Sequence, residues 1–184
     1  MRIIAGEARG RVIEAPPGNH TRPTLDRVRE NIFNMLQADI PGSRILDLFA
    51  GSGALSLESL SRGAEFAVMV DSDRNAIMTQ KKNINSLRYT GKTRQFHCDW
   101  RKAVDELTRN REIFDIVFLD PPYAMQNLRD VFDAIAGVTG TDSLVILEHE
   151  SGKEIIVSER FQPIRQRAWG FCAVSIYRPR IQGE

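Results

Sequence analysis

The sequence predicts an α/β domain with a doubly wound, mainly parallel sheet. Three observations carry that prediction. Short apolar runs of strand length alternate with segments of helical periodicity, the mark of βαβ units. The runs are continuous rather than alternating, as suits strands buried on both faces. Four successive runs are followed by an acid (Asp47, Asp71, Asp99 and Asp120), and ligands of open α/β sheets bind outside the strands' carboxyl ends.

The elements follow in order. Residues 1–20 read as a short hairpin, with Arg2–Ala5, a turn near Gly6 or Gly10, and Arg11–Glu14, followed by a loop at Pro16-Pro17-Gly18-Asn19. Thr24 is placed to cap a helix whose first turn holds Asp26, where negative charge suits the helix dipole. Val28, Ile32, Met35 and Leu36 give that helix one apolar stripe, and Pro41-Gly42 stops it. Ile45–Phe49 is a strand, Ala50–Gly53 a turn, and Ala54–Leu60 a helix with Gly63 as its C′ residue. Phe66–Val70 is a strand, and Arg74–Leu87 a polar helix capped by Asp73. Thr93–His97 is a strand, Trp100–Thr108 a helix, and Phe114–Leu119 a strand ended by Asp120-Pro121-Pro122-Tyr123. Leu128–Ile135 is helical, and further strands are expected at Leu144–Leu147, Glu154–Val157 and Phe171–Tyr177.

The 184 residues fit one domain, and no apolar run approaches a membrane span. No secretory signal is expected from Met1–Glu7, and two cysteines are too few for a disulfide framework. A cytoplasmic protein with reduced thiols is therefore expected. Net charge is +1, which excludes a polycation, but 20 of the 25 cationic side chains are arginine. Two explanations stand: genomic codon bias, or the planar fork that suits phosphates and bases. Six arginines in residues 1–30 and five in 160–184 make both ends mildly basic.

The strand-end residues suggest a nucleotide-like ligand. Gly51-Ser52-Gly53 joins strand to helix, and Asp71 stands twenty residues beyond Gly51, the spacing of a carboxylate that binds ribose hydroxyls. Dinucleotide binders want a third glycine where this chain has Ser56, and Asp47 would repel a pyrophosphate. A carboxylate at Asp47 suits a ligand bearing ammonium or sulfonium, and S-adenosylmethionine has both. Asp99 has two compatible roles, as acceptor for an adenine amine and as N-cap of the Trp100 helix. Asp120-Pro121-Pro122-Tyr123 is the sharpest motif. Consecutive prolines stiffen the turn. Asp120 and the Pro121 carbonyl are then two acceptors aimed at one point, beside the flat face of Tyr123. Together they describe a clamp for an exocyclic base amine. His20, His97 and His149 form no metal spacing with either cysteine, and no metal is assigned. Cys98 is expected to be a small buried residue, and Glu148 and Glu150 to be solvated.

Asp47-Leu48-Phe49-Ala50-Gly51-Ser52-Gly53 with Asp120-Pro121-Pro122-Tyr123 resembles the class I S-adenosylmethionine-dependent amino-methyltransferases. Arg2-Ile3-Ile4-Ala5-Gly6, Arg9-Gly10-Arg11 and the block from Thr21-Arg22-Pro23-Thr24 to Glu30 resemble the bacterial RsmD family, which methylates the N2 amine of one guanine in 16S ribosomal RNA. The resemblance spans Arg2 to about Tyr177. It implies a Rossmann-like sheet of seven strands with an antiparallel last strand, assigned to Phe171–Tyr177. Relatives often have Glu where this chain has Asp71, and Gly at Ser56. The implied cofactor site comprises Asp47, Phe49, Ala50, Gly51, Ser52, Gly53, Asp71, Ser72, Asp99 and Trp100, and the catalytic group Asp120, Pro121, Pro122 and Tyr123. Residues 1–22 are expected to form an RNA-contact extension of a methyltransferase domain covering 23–184, with Arg9, Arg11, Thr21 and Arg22 touching RNA around the target base. The expected partner is 16S ribosomal RNA in the small subunit or an assembly intermediate, and the expected state a monomer. The Asp-Pro-Pro-Tyr motif is shared with enzymes acting on DNA, so an adenine-N6 DNA methyltransferase is the alternative.

Overall fold

The computed structural model describes residues 1–16, 23–122, 125 and 127–181. Among them, seven strands form one sheet: β1 (Arg44–Asp47), β2 (Phe66–Asp71), β3 (Thr93–His97), β4 (Phe114–Leu119), β5 (Thr139–Glu150), β6 (Phe161–Trp169) and β7 (Cys172–Pro179). The helices are α1 (Pro23–Met35), α2 (Ala54–Ser61), α3 (Arg74–Leu87), α4 (Trp100–Arg109) and α5 (Leu128–Ile135). The strand order is β3-β2-β1-β4-β5-β7-β6. β1 to β5 are mutually parallel, and β7 is antiparallel to both β5 and β6.

The apolar runs divide residue by residue between two cores, because successive strand side chains point to opposite faces. Ile45, Ile116, Phe118 and Ile146 meet Val28 and Ile32 of α1 and Leu36 just beyond it, Leu57 and Leu60 of α2, and Ile84 and Leu87 of α3. Leu46, Val68, Val117 and Leu147 meet Val104 and Leu107 of α4 and Val131 and Phe132 of α5. Phe132 also sits edge-on to Phe161 and Tyr177, at 5.2 and 5.0 Å. Helices thus cover both faces, as a doubly wound sheet requires.

The amino-terminal segment packs onto α2. Ile3, Ala8 and Ile13 join the core shared by α1 and α2. The buried carboxylate of Glu58 accepts from the Ile4 and Ala5 N–H groups at 2.7 and 3.0 Å and from Arg62 Nε at 2.8 Å. Gly6 has φ +83°, and a Cβ there would stand 1.8 Å from the Ser61 carbonyl oxygen, so the segment's docking depends on glycine.

Three expectations need correction. The hairpin is an antiparallel pair held at a single bridge, Arg2 with Val12, rather than two strands; Gly6 and Gly10 make its turn. Its backbone bonds go partly to α2, which competes with a ladder. α1 begins at Pro23, so Thr24 lies inside the helix; proline's fixed φ suits the first helical position. Residues 154–157 belong to no strand, and Ile155 and Val157 pack against the α4–α5 core. The strand is instead β6, an edge strand mostly exposed and rich in Gln and Arg, which carries no apolar signature. The antiparallel last strand is β7 as expected, but it inserts between β5 and β6.

Candidate active site at the strand carboxyl ends

β1 is flanked by β2 on one side and β4 on the other, so the chain reverses winding direction at its carboxyl end. This is where ligands of such sheets bind. A cavity of about 770 Å3 opens there. One wall is Asp47 to Ser52 with Asp71 and Ser72; another is Cys98, Asp99, Trp100 and Arg101; a third is Asp120, Pro121, Pro122, Met125 and Glu148. Met1, Ala15, Pro16, Arg29 and Ile32 close the side toward α1.

Asp47 is 1% exposed. Its Oδ2 accepts from Ser56 Oγ at 2.9 Å, while the buried Oδ1 has no protein partner. Burial pushes its carboxyl up to about 7; the Ser56 hydrogen bond opposes that and the nearby Asp71 charge adds to it. A buried carboxylate in the cavity wall, with one oxygen lacking a hydrogen-bond partner, fits a cationic ligand group.

The turn after β1 is tied to its neighbours through the backbone. Leu48 N–H donates to Phe118 O and Ala50 N–H to Val70 O. Gly53 has φ +78° and is the N-cap residue of α2; a Cβ there would meet Met69 Sδ at 3.0 Å. Asp71 is half-buried and organises the same turn: Oδ2 accepts from Gly51 N–H and Oδ1 from Asp73 N–H, both at 2.8 Å. Each carboxylate oxygen retains a further lone pair for a ligand hydroxyl. From α3, buried Gln80 donates to the Gly51 carbonyl and buried Asn83 to the Ser52 carbonyl, each at 3.0 Å. Asn83 also pairs with Glu14, donating to its carbonyl at 3.0 Å and accepting from its N–H at 2.7 Å. One amide therefore joins the turn to the amino-terminal segment.

Asp99 caps α4, accepting from Arg101 N–H at 2.9 Å, and Arg101 lies 4.3 Å over the Trp100 ring. Asp73 caps α3 through Asn75 N–H at 2.8 Å. The Pro122 carbonyl accepts from Met125 N–H at 2.8 Å, which fixes the turn after β4. Asp120 keeps surface open to the cavity, yet protein crowds it on the other sides. That crowding raises its carboxyl well above the usual range, and the Glu148 and Asp47 charges add to the effect. Burial likewise raises Glu148, opposed by a hydrogen bond with Cys172.

The structure thus brings together Asp47, Phe49, Ala50, Gly51, Ser52, Asp71, Ser72, Asp99, Trp100, Asp120, Pro121 and Pro122 around one cavity, with Gly53 directly behind it. Thr21, Arg22 and Tyr123 lie outside the described residues. The position of Arg9 and Arg11 relative to the cavity is a correction. Arg11 donates to the Ser86 carbonyl at 2.6 Å near the end of α3, and the turn that carries Arg9 rests on Ser61 at the end of α2. Both helices run from the strands' carboxyl ends to their amino ends, so these arginines stand on the side away from the cavity. Glu148 is a second correction: it lines the cavity instead of facing solvent, whereas Glu150 is exposed. Cys98 is half-buried in the cavity wall rather than in the core. The sequence reading also missed Ser56, Gln80 and Asn83. Gln80 and Asn83 fall on the buried stripe of α3 with Ala76, Ile84 and Leu87, and polar amides within an apolar stripe were the available signal.

The architecture is shared with the solved Escherichia coli protein yhhF, at TM-score 0.85 and 32% identity, covering 99% of each chain. A Rossmann-like sheet in this order, with an acid-lined cavity at its switch point, defines the class: an S-adenosylmethionine-dependent methyltransferase. Residues 1–178 match the model of the family described as conserved hypothetical protein 95. Escherichia coli ribosomal RNA small subunit methyltransferase D is 34% identical over 187 residues, spanning 100% of this chain and 92% of that protein. Bacillus subtilis YlbH is 37% identical over 185 residues, spanning 98% of this chain and 100% of that protein. The chain belongs to the RsmD family.

Proposed function

We propose that this methyltransferase acts on the exocyclic N2 amine of a guanine in 16S ribosomal RNA, within a small ribosomal subunit or its assembly intermediate in the cytoplasm. The observation that carries this reading is one cavity shared by a cation-ready carboxylate, Asp47, and an acceptor on a stiff turn, Asp120. The relatives' activity on small-subunit RNA supports the substrate class.

S-adenosylmethionine supplies an electrophilic methyl group on its sulfonium. Asp47 Oδ1 would accept from the methionine ammonium, the partner its buried position lacks. Asp71 would accept from the ribose hydroxyls while holding the Gly51 turn in place. Asp99 would accept from the adenine amine while capping α4, and Trp100 would pack beside that ring. Asp120 and the Pro121 carbonyl would accept from the two N2–H groups and turn the nitrogen lone pair toward the methyl. Positive charge develops on that nitrogen during transfer, and Asp120 is preorganised to stabilise it. Tyr123 is assigned the stacking of the extruded base, which must leave its helix to reach the pocket. Positioning supplies much of the remaining acceleration.

The test is tritiated methyl transfer to small subunits from cells lacking this protein, to naked 16S RNA and to DNA, followed by mass mapping. N2-methylguanosine at one position of 16S RNA is the expected product. Label confined to DNA, or appearing as N6-methyladenine, would overturn the reading.

A further inference from the structure

We infer that Glu148 selects guanine over adenine, its carboxylate accepting from the N1–H of the base whose N2 amine faces Asp120. This inference rests on the guanine-N2 reading above. β4 and β5 are parallel neighbours, with Leu119 opposite Leu147. The next residues, Asp120 and Glu148, therefore stand side by side about 4.8 Å apart along the hydrogen-bonding direction. Strand alternation places Glu148 on the face of Ile146, the face covered by α1 and α2, and it lines the cavity together with Asp120.

Two adjacent carboxylates are costly to hold in a crowded site unless a ligand uses them. Both are raised by burial, and the Glu148 charge adds to the rise at Asp120. Among the described residues, Arg29 lines the cavity toward α1, and its contacts include the Arg2 carbonyl, to which Nη2 donates at 2.6 Å. Across the β5–β7 ladder Glu148 stands opposite Val174, two residues from Cys172 on the same face. A pair of acceptors side by side matches a pair of donors side by side. Guanine presents one on its Watson–Crick edge, N1–H next to the N2 amine. Adenine presents an N1 lone pair next to its amine, and that lone pair would face the Glu148 carboxylate. The site would then leave an acceptor against an acceptor, which costs more than a missing contact.

The experiment uses small subunits reconstituted with 16S RNA that carries guanine or 2-aminopurine at the mapped position. 2-Aminopurine keeps the amine at C2 but has no hydrogen on N1. The wild-type enzyme is expected to favour guanine by ~10- to 100-fold in kcat/KM, the scale of one good base-edge contact. Glu148→Gln can donate as well as accept, and its preference is expected to fall to within a few-fold of unity. Glu148→Asp keeps the acceptor and should retain most of the preference. Calorimetry with S-adenosylmethionine identifies folded variants. A Glu148→Gln enzyme that slows on both substrates with the preference unchanged would overturn the inference. A wild-type enzyme that makes no N2-methylguanosine would instead overturn the underlying function, and that appears before any variant is measured.

Discussion

Replacing Asp47 with Asn should make the ligand-free protein more stable and the cofactor weaker-binding. The carboxyl moves from an ordinary 3.8 in the unfolded chain to about 7 when folded. Below pH 3.8 it is protonated in both states, and folding bears no ionisation cost. Between 3.8 and about 7 the unfolded chain releases the proton while the folded chain keeps it, so stability falls as pH rises. Above about 7 the loss is complete and amounts to about 4 kcal/mol. Asn keeps the acceptor for Ser56 Oγ and has no charge to bury. The stability difference between Asp47→Asn and wild type should therefore be near zero at pH 4 and grow toward that value at pH 8. Urea unfolding of both ligand-free proteins across this range measures the difference directly. Cofactor binding should move the other way. The loss of one charge-assisted hydrogen bond, ~1.5–3 kcal/mol, weakens S-adenosylmethionine by roughly 10- to 100-fold in calorimetry. A stability difference that does not change with pH, or unaltered cofactor affinity, would refute the assignment of Asp47 as a buried anion awaiting a cation.

Asp120→Ala should leave cofactor affinity within a few-fold and lower single-turnover methyl transfer by at least ~10²-fold, the scale of one preorganised polar group. Asn83→Ala removes the bridge between Glu14 and the Ser52 carbonyl; its effect should appear as weaker cofactor binding together with faster hydrogen exchange at residues 1–16, and exchange confined to neither region would argue against the coupling. Gly6→Ala forces a Cβ onto the Ser61 carbonyl and should lower the unfolding temperature through a loss of ~1–3 kcal/mol, read in a thermal melt.

The recurrence of Ile45–Phe49, Phe66–Val70, Thr93–His97 and Phe114–Leu119 with helical segments between them was enough to determine the sheet. Ile45–Phe49, Phe66–Val70 and Phe114–Leu119 have the length and apolar continuity of strands buried on both faces, while edge strand Thr93–His97 was legible from its place between two helical segments. The boundaries of α3 and α5 were legible for the same reason. So were the cofactor turn and the Asp120 motif, because glycine and proline restrict the backbone locally and leave a mark at their own positions.

Edge strand β6 was not legible, since a strand paired on one side and wet on most of its surface has no apolar pattern to show. Nor was the roster of residues supporting the site. Ser56 meets Asp47, Gln80 and Asn83 meet the Gly51–Ser52 carbonyls, and Glu148 meets Asp120 only after separate elements pack together. The same holds for Arg9 and Arg11. Their density suggested an RNA surface beside the target base, but the docking of Gly6 on Ser61 and of Arg11 on Ser86 turns them to the opposite end of the sheet. Sequence by itself determined the periodic and backbone-restricted features, which are decided within a few residues. Tertiary structure alone decided which polar side chains share a cavity, because that depends on contacts between elements tens of residues apart.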